Sequence, residues 1–257
     1  MAYYEFLRAS RSLLAFSLIL AGLAAVIDIV TLFHSSHAIV RIDVGHEHHA
    51  SNAPLLIFTS IAAWATAILA TFLSTSLNRQ REHLAYTWTR PQPRATMSLT
   101  FVAVDVIVLV LAFVVAILVE IACFEVIARG VLPINWSGAV GDVFRALGFS
   151  LMWYALIQAV TAGLGSRGGA VAGASWPVFI VAALLESARF PSPWQEVLTV
   201  INVFNPMAYL SSTTVEHDDV VLRSIIPFST EVRLTLMYAI TFAAVAVAVA
   251  RWRRMEA

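Results

Sequence analysis

Six long apolar runs dominate this chain, and they leave few folds open to it. They cover residues 13–33, 55–73, 99–119, 143–164, 169–185 and 234–250. The hydrocarbon core of a bilayer is about 30 Å thick, and an α-helix crosses it in about 20 residues. The runs therefore predict transmembrane helices; the last two are short and need tilt or flanking residues to accommodate them. The first is too long for the apolar core of a signal peptide and has no convincing cleavage site after it, so it is expected to be retained. Composition agrees: 60% of residues are hydrophobic and 12% charged, where soluble domains run near half and a quarter. The mean hydropathy is +0.81. The expected fold is all-α, a single polytopic domain over 1–257 with about six spans. The formal net charge of +0 offers no overall field to draw nucleic acid. The single Cys123 excludes an intramolecular disulfide.

Arginine placement sets the orientation. With both termini in the cytoplasm, the inner segments hold Arg8, Arg11, Arg79, Arg81, Arg90, Arg94, Arg167, Arg251, Arg253 and Arg254. The longer outer segments hold only Arg41, Arg129, Arg189, Arg223 and Arg233, and placing Arg145 with them does not reverse the bias. An even number of spans agrees with both ends lying on one side. The expected location is a bacterial inner membrane. Residues 1–12, with Tyr3, Tyr4, Phe6, Arg8 and Arg11, suit a short lead-in helix at the inner interface. Glycines at 165, 168 and 169 predict a tight inner turn between the fourth and fifth spans. The outer segment 186–233 holds a short helix expected over 194–204, preceded by Pro191 and Pro193 and ended by Asn205-Pro206. That helix is too short to span, so a re-entrant or interfacial position is expected.

All sixteen basic residues are Arg, and none is Lys. A P-loop needs a Lys on the β- and γ-phosphates and a Schiff-base enzyme needs an amine, so this chain supplies neither chemistry. If ATP drives it, the ATPase is another polypeptide.

The inner stretch 74–98 is polar and Arg-rich. On a helix beginning at Leu77, the residues Leu77, Leu84 and Trp88 fall on one stripe, with Arg81 and Glu82 between them. An apolar stripe on a basic cytoplasmic helix calls for a partner surface or the bilayer interface. The competing reading is a loop lying on lipid with its arginines snorkelled. The stretch ends in Thr89, Pro91 and Arg94. It resembles the cytoplasmic loop after the second span of type-2 ABC transporter permeases, in which an Arg/Glu-containing helix is followed by a T-x-P-x-x-R-like ending. The motif covers about twenty residues; the six-span layout, the amphipathic lead-in, the tight turn after the fourth span and the outer Asn205-Pro206 extend the likeness in architecture. The resemblance implies a permease subunit of an ABC exporter, with no enzymatic activity of its own. It implies pairing with a second copy or paralogue, and docking on a separate nucleotide-binding subunit that carries ATP and Mg. It also implies outward movement of lipidic, glycan or drug-like cargo. Carried onto this sequence, Glu82, Leu84, Trp88, Thr89 and Pro91 would couple the permease to its ATPase.

Other features carry separate expectations. The first outer loop holds His34, His37, His46, Glu47, His48 and His49. Imidazoles suit transition metals, but His46-Glu47-His48-His49 is too compact for H-E-x-x-H zinc geometry, so no metal site is expected. Acidic residues inside spans are expensive and face protein or water. Asp28 and Asp105 are read either as lining of a substrate path or as partners in interhelical hydrogen bonds. Glu120 and Glu125 are placed at the interface, and Trp136 and Trp194 in the aromatic belt. A rival to the permease reading is a membrane-embedded enzyme or assembly factor that uses the His-rich loop and the intramembrane carboxylates.

Overall fold

The computed structural model describes residues 10–20, 22–23, 26, 53–79, 94–128, 139–164, 167–187, 191–210 and 228–254. These form helices α1 (Ser10–Leu20), α2 (Ala53–Arg79), α3 (Arg94–Ala128), α4 (Ala139–Thr161), α5 (Gly168–Ser187), α6 (Trp194–Val203), α7 (Met207–Leu210) and α8 (Thr230–Arg254). No strand occurs among the described residues. Helices α3, α4, α5 and α8 are each long and apolar enough to cross a membrane, and α2 carries the shorter apolar stretch Thr59–Thr75. At 35 residues, α3 is about 52 Å long and overruns the predicted span 99–119 at both ends. Apolarity marks only the part of a helix that must cross hydrocarbon, whereas the flanks here contain no Gly or Pro to end the helix.

Helix α4 is the axis of the bundle. Of its apolar stretch 56% is buried, against 39% for α3, 22% for α8 and 11% for α5. Small residues allow its neighbours close. Ala62, Ala63, Ala67 and Ala70 of α2 are wholly buried in the core with Ala146, Phe149 and Trp153 of α4. On the other flank, Ala155 and Ala159 of α4 share a cluster with Ala244 and Ala248 of α8. Lipid tails are as apolar as these side chains, so close van der Waals packing and interhelical hydrogen bonds drive this association. Gly148 serves the same end: a Cβ there would run into the Met237 methyl and lie 3.2 Å from Tyr238 Cζ, both on α8.

Cross-helix contacts fix the directions. Thr66 and Thr71 of α2 meet Ser150 and Trp153 of α4, so these helices are parallel. Tyr238 bonds the Phe144 carbonyl and Arg251 that of Ala159, so α8 runs the same way. Asp105 meets Tyr154 and Phe101 meets Trp252, which makes α3 antiparallel to all three. Trp176, eight residues into α5, packs on Trp153, eight residues before the end of α4; α5 is likewise antiparallel. The five long helices therefore alternate in direction along the chain.

Two local features shape the connections. Helix α4 stops at Thr161 and α5 begins at Gly168, and among the described residues of the turn Gly163 has a positive φ of 88°. Only a residue without a Cβ takes that conformation cheaply. The predicted helix 194–204 is present as α6, with Phe204 as its C-cap. Asn205 then turns the chain into α7: its side-chain Oδ1 accepts from the Met207 amide at 3.1 Å and its carbonyl from the Ala208 amide at 3.1 Å.

Candidate functional site

Polar side chains inside a bundle of apolar helices must find partners within it, because hydrocarbon offers none. Most serine and threonine hydroxyls here bond back to their own helix, as Ser74 does to the Ala70 carbonyl at 2.7 Å and Thr161 to that of Ile157 at 2.6 Å. The groups that reach across helices are fewer, and they cluster around α4.

The first cluster contains Asp105. Its side chain is wholly buried, eleven residues into α3. Tyr154 Oη donates to Asp105 Oδ2 at 2.8 Å, and Gln158 Nε2 donates to Tyr154 Oη at 3.3 Å. Tyr154 and Gln158 lie one turn apart on α4, so a single helix face delivers both to the carboxylate. Gln158 Oε1 is buried without a hydrogen-bond partner among the described residues. One turn toward the start of α3, Phe101 meets Trp252 of α8 edge-on at 5.9 Å. Beside it, Arg251 donates to the Ala159 carbonyl at 2.8 Å, satisfying a C-terminal carbonyl of α4 and complementing the negative end of its dipole.

A second cluster ties α2, α4 and α5 together. Thr66 and Ser150 hydroxyls are 2.6 Å apart, and Ser150 also reaches the Ala63 carbonyl at 3.2 Å. Thr71 Oγ1 donates to the Ala67 carbonyl at 3.0 Å while accepting the indole N–H of Trp153 at 2.9 Å and of Trp176 at 3.2 Å. A hydroxyl has one donor and two acceptor lone pairs, so Thr71 is saturated. Trp176 also stacks on Trp64 at 5.6 Å and lies 4.2 Å from Trp153, which also meets Phe179 edge-on at 5.3 Å.

The third cluster holds α6 and α7 to α5. Asn202 Nδ2 donates to the Ala182 carbonyl at 3.2 Å; Asn205 Nδ2 donates to the Phe179 carbonyl at 2.9 Å and to Asn202 Oδ1 at 2.8 Å. These acceptors lie well inside α5, so α6 folds back alongside α5 instead of continuing past its end. Met207, Ala208 and Tyr209 are buried, and the last two pack with Met152 of α4 and Met237 of α8.

Of the residues singled out in the sequence, Asp105 is the one these contacts describe, and it faces α4 within the bundle. Asp28 and the coupling candidates Glu82, Leu84, Trp88, Thr89 and Pro91 lie outside the described residues, as does the His-rich loop. Among the described residues no group of three His, Cys, Asp or Glu could hold a metal. Glu120, expected at the interface, has both carboxylate oxygens buried without a hydrogen-bond partner among the described residues, and α3 continues beyond it to Ala128. Tyr154, Gln158, Thr71, Asn202 and Asn205 were not flagged as site residues. The available signal was a polar side chain in an apolar helix, which gives no partner by itself.

The all-helical bundle and its four long apolar helices define an integral membrane protein. No protein-family model matches the chain, and a search of curated proteins gave no match.

Proposed function

We propose that this protein is the six-span permease subunit of an ABC exporter, working as a dimer on a separate ATPase subunit. In this reading α1 belongs to the first span, α2, α3, α4, α5 and α8 are the other five, and α6–α7 is re-entrant. The alternating directions of the five long helices support this layout, since a sixth span at the start returns both chain ends to one side. The observation that carries the function is the stretch 77–94, with its Leu77–Leu84–Trp88 stripe and its Thr89, Pro91 and Arg94 ending. It joins the adjacent antiparallel helices α2 and α3 at the same end of the bundle as Arg251, Arg253 and Arg254 of α8. An excess of arginine marks the cytoplasmic side, where ATP is found.

Within this reading Glu82, Leu84, Trp88, Thr89 and Pro91 dock on the ATPase, which brings ATP and Mg. Asp105, together with Tyr154, holds α3 against α4, so that a push on the loop at the start of α3 is delivered to the central helix. Asp28 lies on the substrate path toward the outer face. The test is purification of the tagged chain from its native membrane. A companion polypeptide carrying a P-loop, with ATP hydrolysis in the complex and none in the isolated chain, is the expected result. Saturable ATP hydrolysis by the partner-free chain would overturn the reading.

A further inference from the structure

The packed face of α3 carries a carboxylate that nothing around it satisfies. Leu109, Ala112, Phe113 and Ala116 are buried in the core that α3 shares with α2 and α4. Steps of three and four residues return to one side of a helix, and Glu120 follows Ala116 by four, so it continues that face. The helix runs on to Ala128, which keeps Glu120 away from a fraying end. Both carboxylate oxygens are buried from water, and neither has a hydrogen-bond partner among the described residues. The helices packed most on α3 are α2, α8 and α4. Helix α2 has no titratable side chain from Ala53 to Asn78. Helix α4 brings Asp142 and Arg145, which pair with each other, and α8 brings Glu231 and Arg233 near its start. None of these four hydrogen-bonds to Glu120. An ionised carboxylate without water, donor or counter-charge costs far more than one lost hydrogen bond, whereas the neutral acid costs what other buried polar groups do.

We propose that Glu120 holds a proton in the assembled bundle and acts as a proton-operated catch on the C-terminal third of α3. With the proton in place the neutral side chain stays on the packed face, and α3 remains seated against the core. When water takes the proton, the charge that is left finds no donor there, so the carboxylate has to leave that face and loosens this part of α3. Residues nearer the start of α3 are held separately, by Asp105 on Tyr154 and by Phe101 on Trp252. The catch therefore frees one end of the helix and leaves the other in place. It depends on the packing of α3 and is independent of any coupling to an ATPase.

Infrared absorption of the full chain in neutral buffer tests the proton, in a maltoside detergent that has no ester carbonyl of its own. A protonated carboxyl without a hydrogen bond absorbs at the high-frequency end of the carboxyl range, clear of amide and carboxylate bands. Wild type minus Glu120→Gln is expected to leave one such band, since Gln is neutral and of the same shape. No band in the difference, or a carboxylate band in its place, would overturn the proposal. The catch is read by amide exchange, corrected for intrinsic rate. Raising the pH should speed exchange at residues 117–123 relative to 105–112 in wild type and not in Glu120→Gln; equal behaviour of the two would overturn it. If Glu120→Gln does not fold, the wild-type chain decides through dicyclohexylcarbodiimide, which attacks protonated carboxyls in apolar surroundings. The acid gives its proton to a carbodiimide nitrogen while its oxygen adds to the central carbon, so the peptide holding Glu120 should gain one whole reagent mass. An unmodified peptide, or equal modification by a water-soluble carbodiimide, would refute the proposal.

Discussion

Replacing Tyr154 with Phe deletes one oxygen from the centre of the bundle, and its cost can be worked from the contacts. The hydroxyl donates to Asp105 Oδ2 at 2.8 Å and accepts from Gln158 Nε2 at 3.3 Å. An interhelical hydrogen bond inside a membrane is worth about 0.6 kcal/mol on average, because the separated helices also find partners. Losing the second bond costs more. Gln158 is buried and its Oε1 already lacks a partner among the described residues, so its whole amide would be stranded, at about 1–3 kcal/mol. The expected loss for Tyr154→Phe is about 2 kcal/mol, or about 30-fold in the folded-to-unfolded ratio. Reversible unfolding in mixed micelles, titrated with denaturing detergent, measures it. Because the stranded amide supplies most of the cost, Tyr154→Phe/Gln158→Leu should recover at least about 1 kcal/mol. A Tyr154→Phe variant within about 0.5 kcal/mol of wild type, the range of an unremarkable surface change, would refute the reasoning. So would a Gln158→Leu change that adds to the loss.

Two further outcomes are expected. Thr71→Val should cost at least about 2 kcal/mol in the same unfolding assay, since it strands the indole N–H groups of both Trp153 and Trp176, whereas Thr71→Ser should behave like wild type. For orientation, cysteines placed at Ser76 and Ser51 in a Cys123-free chain should label from opposite sides of the membrane, and labelling of the Ser76 position from outside intact cells would reverse the assignment.

The long helices and the short α6 were legible because each rests on a local signal: sustained apolarity for the spans, and prolines with Asn205-Pro206 around α6. Pairings were not. Asp105 stood out as a carboxylate in an apolar run, but its partner lies 49 positions away, and helical spacing is silent about which face of another helix will meet it. Thr71 does bond back to its own helix, at the Ala67 carbonyl, as threonines in helices often do. Its role depends on two tryptophans from α4 and α5 arriving at one level, which only the assembled bundle decides. Asn205 was read as a helix terminator, which it is, yet its amide also fastens α6 to α5. The turn after α4 was legible from its glycines; α4 ends at Thr161 and α5 begins at Gly168, and among the described residues Gly163 takes the positive φ.

The account rests most heavily on the stretch 77–94 as the contact with a separate ATPase, and Trp88 is the residue on which to test it. Aromatic anchors dominate interface energetics, and truncating one costs at least about 2 kcal/mol, which lowers affinity about 30-fold. The measurement is pull-down of the companion ATPase by Trp88→Ala at membrane expression matched to wild type, with cargo efflux followed in parallel. Weakened association, or ATP hydrolysis no longer coupled to efflux, is the predicted result, and Glu82→Ala should act in the same direction more mildly. Wild-type association together with wild-type efflux would contradict the coupling role and return the stripe to the surface of the lipid.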